Sequence, residues 1–97
     1  MERHPHFEWD RRKARDNTAK HGVSFEEAMT AFGDALGRII RDDRHSIDEQ
    51  RFVLIGESVR RRLLVVMFTE RRDTIRIVSA RKATGRERRD YEEDDED

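Results

Sequence analysis

Two arginines in one short stretch, "TIRIVSAR" at residues 74–81, are the residues of this chain best suited to binding phosphate. Isoleucine and valine predict a buried strand there, yet Arg76 interrupts the strand and Arg81 ends it. The planar guanidinium group stays charged and matches phosphate oxygens in shape. The alternative for each arginine is an ion pair with a carboxylate such as Glu49 or Glu87.

The spacing of the two arginines raises a geometric question. Side chains of a strand alternate between its faces, and Arg76 and Arg81 differ in parity. A regular strand would place them on opposite faces. Either a bulge intervenes, or one of the two arginines lies outside the site.

Two histidines are candidates for proton transfer, because histidine titrates near neutral pH. Lys20 and His21 end the first predicted helix, where a cation also stabilises the helix by about 0.3–1 kcal/mol. A further alternative to a catalytic role is that His21 only packs beside Ala14 and Asn17 on the same side of the helix. His45 lies in the polar loop "DDRHSIDEQ", where an exposed histidine usually has no special role.

Further arginines and a glutamate complete the candidates. Glu49 and Arg51 would share one face of a strand, either as acid–base and phosphate-binding groups or as a surface pair. Of the consecutive arginines 60–62, at most two point the same way, and Arg62 is favoured because it enters the most apolar strand.

Other kinds of site find little support in the sequence. His4 and His6 lack further ligands at a suitable spacing, so no metal site is predicted. The chain of 97 residues has no cysteine, which excludes disulfides and thiolate metal sites. A phosphate-cradling glycine-rich loop and a serine-nucleophile motif are also absent.

Charge is segregated along the chain, although the net charge is −1. Residues 60–89 contain eleven basic and three acidic residues, whereas residues 22–59 contain four basic and eight acidic residues. The last six residues, "EEDDED", are all acidic. A basic half indicates a polyanionic partner, most often nucleic acid, and scattered surface ion pairs are the alternative. We expect a soluble cytoplasmic protein, because no run of 18 apolar residues and no signal peptide is present.

The elements that must position these residues are short. "HFEW" predicts a strand, Asp10 caps a helix over residues 11–21, and Gly22 ends it. Ser24 and Glu27 form a capping box for a second helix, and Thr84 and Glu87 form another for a helix over residues 85–92. The core face of the second helix consists of Phe25, Ala28, Met29 and Phe32.

Four strands are predicted between these helices, over residues 36–42, 51–58, 62–70 and 74–81. The third is the most continuously apolar and should be central. The order of elements predicts a single α+β domain with a small antiparallel sheet, two N-terminal helices and one C-terminal helix. The helices can cover only part of that sheet, so its remainder must face water or a ligand.

Two dense blocks, "KHGVSFEEA" and "RIVSARKATGRER", resemble the BrnT family of ribonuclease toxins from bacterial type II toxin–antitoxin systems. The resemblance runs from about Phe7 to Tyr91. It implies a RelE-like fold, RNA as substrate and neutralisation by a BrnA-type antitoxin, with operator DNA bound by the toxin–antitoxin complex. The segments "MERHPH" and "EEDDED" fall outside the shared pattern.

RNA cleavage without a metal needs a base for the ribose 2′-OH, an acid for the leaving oxygen and cations for the phosphorane. The predicted catalytic residues are His21, His45, Glu49, Arg62 and Arg81. The predicted RNA-binding residues are Lys20, Arg51, Arg76 and Lys82. No cofactor is expected. A non-catalytic module that binds nucleic acid or an antitoxin, as a degenerate toxin acting as co-repressor, is the alternative function.

The domain is expected to span residues 1–91, followed by a disordered acidic tail over residues 92–97. The tail either keeps the protein soluble or folds back on the basic surface as a weak mimic of RNA.

Overall fold

Short helices and strands alternate along the chain. The computed structural model describes residues 6–45 and 49–94. In chain order the elements are β1 (His6–Glu8), α1 (Arg11–His21), α2 (Phe25–Thr30), a 3-10 turn (Ala31–Gly33), β2 (Arg38–Asp42), a second 3-10 turn (Asp43–His45), β3 (Arg51–Glu57), β4 (Leu63–Arg71), β5 (Thr74–Lys82) and α3 (Gly85–Asp94). This order and the α+β class are those predicted from the sequence.

Local sequence signals set the helix ends. The Asp10 side chain accepts a hydrogen bond from the Lys13 amide, and Gly22 ends α1 in the left-handed conformation at φ 69°. Ser24 accepts from the amide of Glu27 at 3.0 Å. The predicted capping box at α2 is therefore half present, because the Glu27 carboxylate binds the side chains of Ser58 and Arg62 instead.

The five strands form one mixed sheet in the order β1-β5-β4-β3-β2. The prediction of an antiparallel sheet is wrong at one edge, since β1 runs parallel to β5. A parallel neighbour needs a long connection, and here nearly the whole domain separates the two strands. The prediction that residues 62–70 form the central strand is confirmed by the position of β4.

Helices α1 and α2 pack on one face of the sheet and form the core with it. Phe68 of β4 lies at its centre, edge-on to Phe32 and stacked on Phe52 with ring centroids 5.0 and 5.5 Å apart. Each large apolar side chain buried here stabilises the fold by about 1.5–3 kcal/mol. The predicted core face of α2 is confirmed, and the buried core residues are Val23, Phe25, Ala28, Ala31, Leu54, Leu64, Val66, Phe68, Ile77 and Ala80.

One glycine permits a close backbone approach in this core. A Cβ on Gly56 of β3 would lie 2.8 Å from the carbonyl oxygen of Ala31 in the first 3-10 turn. No side chain fits at that distance, so Gly56 lets the turn pack directly against the sheet.

A β-bulge interrupts the pairing of β4 with β5. Phe68 pairs with Ile77, but its neighbour Met67 pairs with Ser79, so Val78 is the extra residue. The bulge reverses the alternation of β5, and Ile77 and Ala80 both become buried against the helices. Even-numbered side chains before the bulge therefore point to the same face of the sheet as odd-numbered side chains after it.

Helix α3 extends two residues beyond its predicted end. Its capping box is complete, because Thr84 N donates to Glu87 Oε1 at 2.8 Å and Glu87 N donates to Thr84 Oγ1 at 3.2 Å. Glu92, Glu93 and Asp94 are helical, which corrects the prediction that they are disordered. Residues 95–97 lie outside the described residues. Among the described helices, α1 is the longest at 11 residues, and none could cross a membrane.

Candidate nucleic-acid interface

The sheet face opposite α1 and α2, here called the distal face, carries three rows of cross-strand neighbours. Strand register assigns each row. The first row contains Arg81, Val65, Ile55 and Arg38; the second contains Ser79, Met67, Val53 and Ile40; the third contains Glu8, Arg76, Thr69, Arg51 and Asp42. Two charged rows thus flank a mostly apolar one.

The bulge in β5 determines whether Arg76 and Arg81 lie on the same face of the sheet. Arg76 pairs with Thr69 and Arg81 pairs with Val65, and these two β4 residues point to the same face. Both arginines therefore lie on the distal face, in different rows. The rows are about 13 Å apart, because four residues of β4 separate Val65 from Thr69 at roughly 3.3 Å each.

The start of α3 holds Arg81 in place. Arg81 Nη1 and Nη2 donate to the two carboxylate oxygens of Glu87 at 2.8 and 2.9 Å. The Arg81 hydrogen bond is the main cause that lowers the pKa of Glu87 from 4.5 to about 2. The side chain of Arg81 remains 42% exposed. The guanidinium is therefore oriented, permanently charged and accessible.

Four other predicted residues lie at the same end of the sheet, and together with Arg81 they form what we call the Arg81 cluster: Lys20, His21, Arg62, Arg81 and Lys82. Arg62 Nη2 donates to the carbonyl of Gly22 at 3.0 Å, which places Arg62 beside the end of α1. Lys82 pairs with Leu64 and therefore points towards the helix side. The cluster thus surrounds the end of β5 from both faces of the sheet.

Within this cluster Arg62 belongs to a buried charge network. It forms a bidentate ion pair with Glu27, with Nε 2.9 Å from Oε2, and the Ser58 hydroxyl donates to the same carboxylate at 2.7 Å. The side chain of Glu27 is 4% exposed. The Arg62 hydrogen bonds are the main cause of its lowered pKa. Arg62 therefore neutralises a buried carboxylate that ties α2 to the turn between β3 and β4.

The other predicted residues gather at the opposite end of the sheet. We call Glu49, Arg51, Arg71 and Arg76 the Glu49 cluster. Glu49 precedes β3 and accepts two hydrogen bonds from Arg71, at 2.7 and 2.8 Å, rather than pairing with Arg51 as the sequence suggested. The Arg71 hydrogen bond is the main cause of the lowered pKa of Glu49, and the charges of Arg76 and Arg51 lower it further.

Arg76 pairs with a residue that sequence reasoning did not consider. Its Nη1 donates to Glu8 of β1 at 2.8 Å. Among the described residues this is its one ion-pair partner, so Arg76 uses a smaller part of its guanidinium than Arg71 and Arg81 do. The predicted partners Glu49 and Glu87 are both bound to other arginines.

The three remaining histidines of the chain are His4, His6 and His45. His45 ends the second 3-10 turn. Its side chain and the whole of His4 lie outside the described residues. His6 begins β1 and is exposed. Within residues 6–45 and 49–94, no group of three or more His, Asp or Glu side chains could hold a metal ion.

Sequence reasoning missed Arg71, Glu8 and Thr69. Arg71 can be assigned only once the strand register is known: Arg51 pairs with Thr69 in antiparallel β3 and β4, and extending that register by two residues sets Glu49 opposite Arg71. Glu8 could not be assigned in this way, since its contact depends on β1 lying beside β5.

Comparison with known proteins adds a family to this geometry. Residues 9–87 match the model of the family described as the ribonuclease toxin BrnT of type II toxin–antitoxin systems. The fold is similar to that of the Brucella abortus ribonuclease toxin BrnT, known from a 1.1 Å crystal structure, with a TM-score of 0.61 and 23% sequence identity. That similarity covers 78% of this chain and 92% of the Brucella chain. No curated protein matches the chain.

The family match covers most of the chain and includes the block "KHGVSFEEA" and all but the last residue of the block "RIVSARKATGRER". It also contains Arg62, Arg76, Arg81 and Glu87, so both ends of the distal face fall within the family pattern. The chain belongs to the BrnT family of ribonuclease toxins of type II toxin–antitoxin systems.

Proposed function

We propose that this protein cleaves RNA without a metal ion, at the end of the distal face that bears Arg81. One observation carries the proposal: the bulge in β5 brings Arg76 and Arg81 onto the sheet face opposite α1 and α2. A strand that needs its apolar residues for the core thereby presents two guanidinium groups where an RNA strand can reach them. A RelE-like fold is part of the same proposal.

In the proposed reaction the ribose 2′-oxygen attacks the adjacent phosphorus while the bond to the 5′-oxygen breaks, which leaves a 2′,3′-cyclic phosphate. Arg81 donates to the phosphorane oxygens, where charge accumulates. A preorganised donor of this kind lowers the barrier by about 2.7–4 kcal/mol. To bind phosphate, Arg81 turns one edge of its guanidinium away from Glu87, which then acts as a positioning residue.

Proton transfer in this proposal falls to His21, which takes the proton of the 2′-OH as base and gives a proton to the leaving 5′-oxygen as acid. The Asn17 side chain bonds the backbone of Ala80 in both directions, at 2.7 and 3.1 Å, which fixes α1 to the residue before Arg81. His21 lies one helical turn further along α1, about 6 Å. Glu87 and Glu49 are less suited, because their lowered pKa values keep both carboxylates ionised and weakly basic.

The other candidates receive supporting roles. Lys20 and Lys82 attract the RNA backbone at the edges of the Arg81 cluster, and Arg51 and Arg76 bind it at the Glu49 cluster. Arg62 maintains the fold beneath the site through Glu27, and Glu49 orients Arg71. His45, which precedes β3, was predicted from the sequence to be catalytic, and that role stays a prediction.

We further propose that a BrnA-type antitoxin neutralises the toxin by covering the distal face. An apolar row between two charged rows suits a partner segment with apolar residues at its centre and acidic residues on both sides. Operator DNA would then be bound through the antitoxin in the complex. A structure of the complex in which Arg81 remains open to solvent would contradict this part of the proposal.

The test of cleavage uses purified protein with single-stranded RNA in buffer that contains EDTA. We expect cleavage with 2′,3′-cyclic phosphate ends, and a loss of about two to three orders of magnitude in rate for Arg81→Ala. Arg89→Ala, which removes an exposed arginine of α3, is the matched control. Cleavage that requires a divalent metal ion would overturn the mechanism.

A specific observation favours the alternative of a non-catalytic binding module. Arg62, Arg71, Arg76 and Arg81 all lie in ion pairs with carboxylates, so each can serve the fold without RNA. Expression in bacteria separates the two functions, because a ribonuclease arrests growth with loss of RNA, and a binding module leaves growth unimpaired.

A further inference from the structure

The third row of the distal face crosses all five strands. Strand pairing aligns Glu8 with Arg76, Arg76 with Thr69, Thr69 with Arg51, and Arg51 with Asp42. The row therefore reads acid, base, hydroxyl, base, acid. Neighbouring strands lie about 4.8 Å apart, so the backbones of Arg76 and Arg51 are roughly 10 Å apart, with Thr69 between them.

Thr69 is the unusual member of this row. The residue is 4% exposed, and its hydroxyl has no hydrogen-bond partner among the described residues. A buried hydroxyl without a partner is uncommon and calls for an explanation, such as a bound water or ion. The cross-strand neighbours on both sides are arginines, which bind anions rather than cations.

We propose that Arg76, Thr69 and Arg51 form a second phosphate subsite, which binds a phosphodiester of the RNA strand away from the bond that is cleaved. The inference rests on the proposed function, since it assigns a further contact to the same RNA. Arg76 and Arg51 bind the phosphate oxygens from two sides, and the Thr69 hydroxyl donates a hydrogen bond to the same phosphate. None of the three residues of this subsite belongs to the Arg81 cluster.

The pairing of Arg76 is compatible with exchange. It donates to Glu8 through Nη1, and the two side chains are 31% and 41% exposed. The other nitrogens of the guanidinium can therefore take a phosphate oxygen while the Glu8 contact persists or is replaced. Arg71 is already bound in a bidentate pair with Glu49, which keeps that carboxylate from competing for Arg76.

The distance between the rows indicates the kind of RNA. A phosphate at Thr69 and the scissile phosphate at Arg81 would be about 13 Å apart along β4. The second row between them, Met67, Val53 and Ile40, is mostly apolar and offers a surface for bases. An extended single strand can place its bases there, whereas the bases of a duplex are stacked and paired. The subsite therefore assigns single-stranded RNA as the substrate.

Thr69→Val is the most selective variant, because it keeps the shape and removes the hydroxyl. The probe is a single-stranded 2′-O-methyl oligonucleotide, which can bind but lacks the nucleophile. We expect its affinity to fall by about 10- to 100-fold, the size of one hydrogen bond to a charged group. We expect an unchanged or higher melting temperature, since a buried unpaired hydroxyl is lost. Thr69→Ser should retain the affinity.

Arg76→Ala tests the charge of the subsite independently. Removing one phosphate contact lowers the slope of log K against log salt by about 0.7 for a single strand. Arg72→Ala is the matched control, because Arg72 is an exposed arginine of the turn that precedes β5. The slope measured for Arg72→Ala should equal that of the wild type within error. A Glu70→Gln variant, made as a second control, should give the same slope.

Several results would overturn the subsite. A lower melting temperature of Thr69→Val with unchanged affinity would mean that the hydroxyl binds a structural water. An unchanged salt slope for Arg76→Ala would exclude the phosphate contact. Displacement of the oligonucleotide by inorganic phosphate to the same extent in wild type and Thr69→Val would reduce the site to a general anion site. By contrast, a wild type that shows the expected binding but never cleaves RNA would reject the proposed function and leave the subsite standing.

Discussion

The two ends of the distal face hold their arginines by different means. In the Arg81 cluster, the partner of Arg81 is Glu87, six residues later in the chain, and the capping box of α3 fixes that carboxylate. In the Glu49 cluster, Arg71 and Arg76 take partners 22 and 68 residues away. The Arg81 guanidinium is thus held by one continuous segment, residues 81–87, whereas Arg71 and Arg76 are held by carboxylates from distant parts of the chain.

This difference suggests that the two clusters have different functions. A short capped segment holds a guanidinium rigidly, which suits stabilisation of a transition state that tolerates little displacement. Partners drawn from distant strands, with exposed ion pairs, give a broad surface that suits the binding of a flexible RNA backbone. We therefore expect the Arg81 cluster to govern the rate of the chemical step and the Glu49 cluster to govern affinity.

The largest effect on stability is expected from Arg62→Ala, which breaks the buried pair with Glu27 and leaves a carboxylate of 4% exposure. The loss should be about 3–5 kcal/mol, and each kcal/mol lowers the melting temperature of a domain this size by about 4–8 °C. Arg61→Ala, next to it and exposed, is the control for thermal unfolding. A folded Arg62→Ala that has lost cleavage alone would instead place Arg62 in the active site.

A smaller effect is expected from Glu87→Gln, and it depends on pH. The pKa of Glu87 falls from 4.5 to about 2 on folding. Its ionised form therefore stabilises the fold fully above about pH 4.5, and this contribution is lost as pH falls through 2. Since Arg81 is 42% exposed, solvent screening reduces the gain to about 1 kcal/mol.

Thermal unfolding of Glu87→Gln and wild type at several pH values checks this. The difference between the two should be largest at neutral pH and should vanish towards pH 2. Glu92→Gln serves as the control, because its contact with Arg88 is long at 3.8 Å and exposed. A difference that does not change with pH would show that the carboxylate contributes by its shape rather than its charge.

The smallest effect is expected from Glu49→Gln. Its ion pair with Arg71 is exposed on both sides, and such pairs contribute about 0–1 kcal/mol. The rate of cleavage at saturating RNA should stay within a few-fold of wild type. If Glu49 were the general base, that rate would fall by about two to four orders of magnitude, and the division between the two clusters would be wrong.

Much of the fold could be predicted because its signals are local. Asp10, Ser24 and Thr84 begin the helices, Gly22 ends one of them, and the alternation of apolar residues defines the strands. The parallel placement of β1 could not be predicted, since nothing in three residues specifies which edge of the sheet they join. That error also concealed the contact between Glu8 and Arg76.

The candidate site could be predicted in composition but not in arrangement. The basic candidates were named from the sequence, and Glu87 was one of the two carboxylates considered as partners of Arg81. The bulge at Val78 was one of two alternatives that parity left open, because the extra residue depends on how Ile77 and Ala80 both pack against the helices. The separation of the candidates into two clusters follows from strand register, and a single sequence does not contain that register.

The most direct test of the central claim compares Arg81→Ala with Arg76→Ala in single-turnover cleavage of single-stranded RNA. Rates are measured over a range of protein concentrations in EDTA, with Arg89→Ala as the control. We predict that Arg81→Ala lowers the maximal rate by about two to three orders of magnitude with a small change in the half-saturating concentration. Arg76→Ala should raise that concentration and leave the maximal rate nearly unchanged. The reverse pattern, or an equal loss of maximal rate in both variants, would contradict the division of chemistry and binding between the two ends of the distal face.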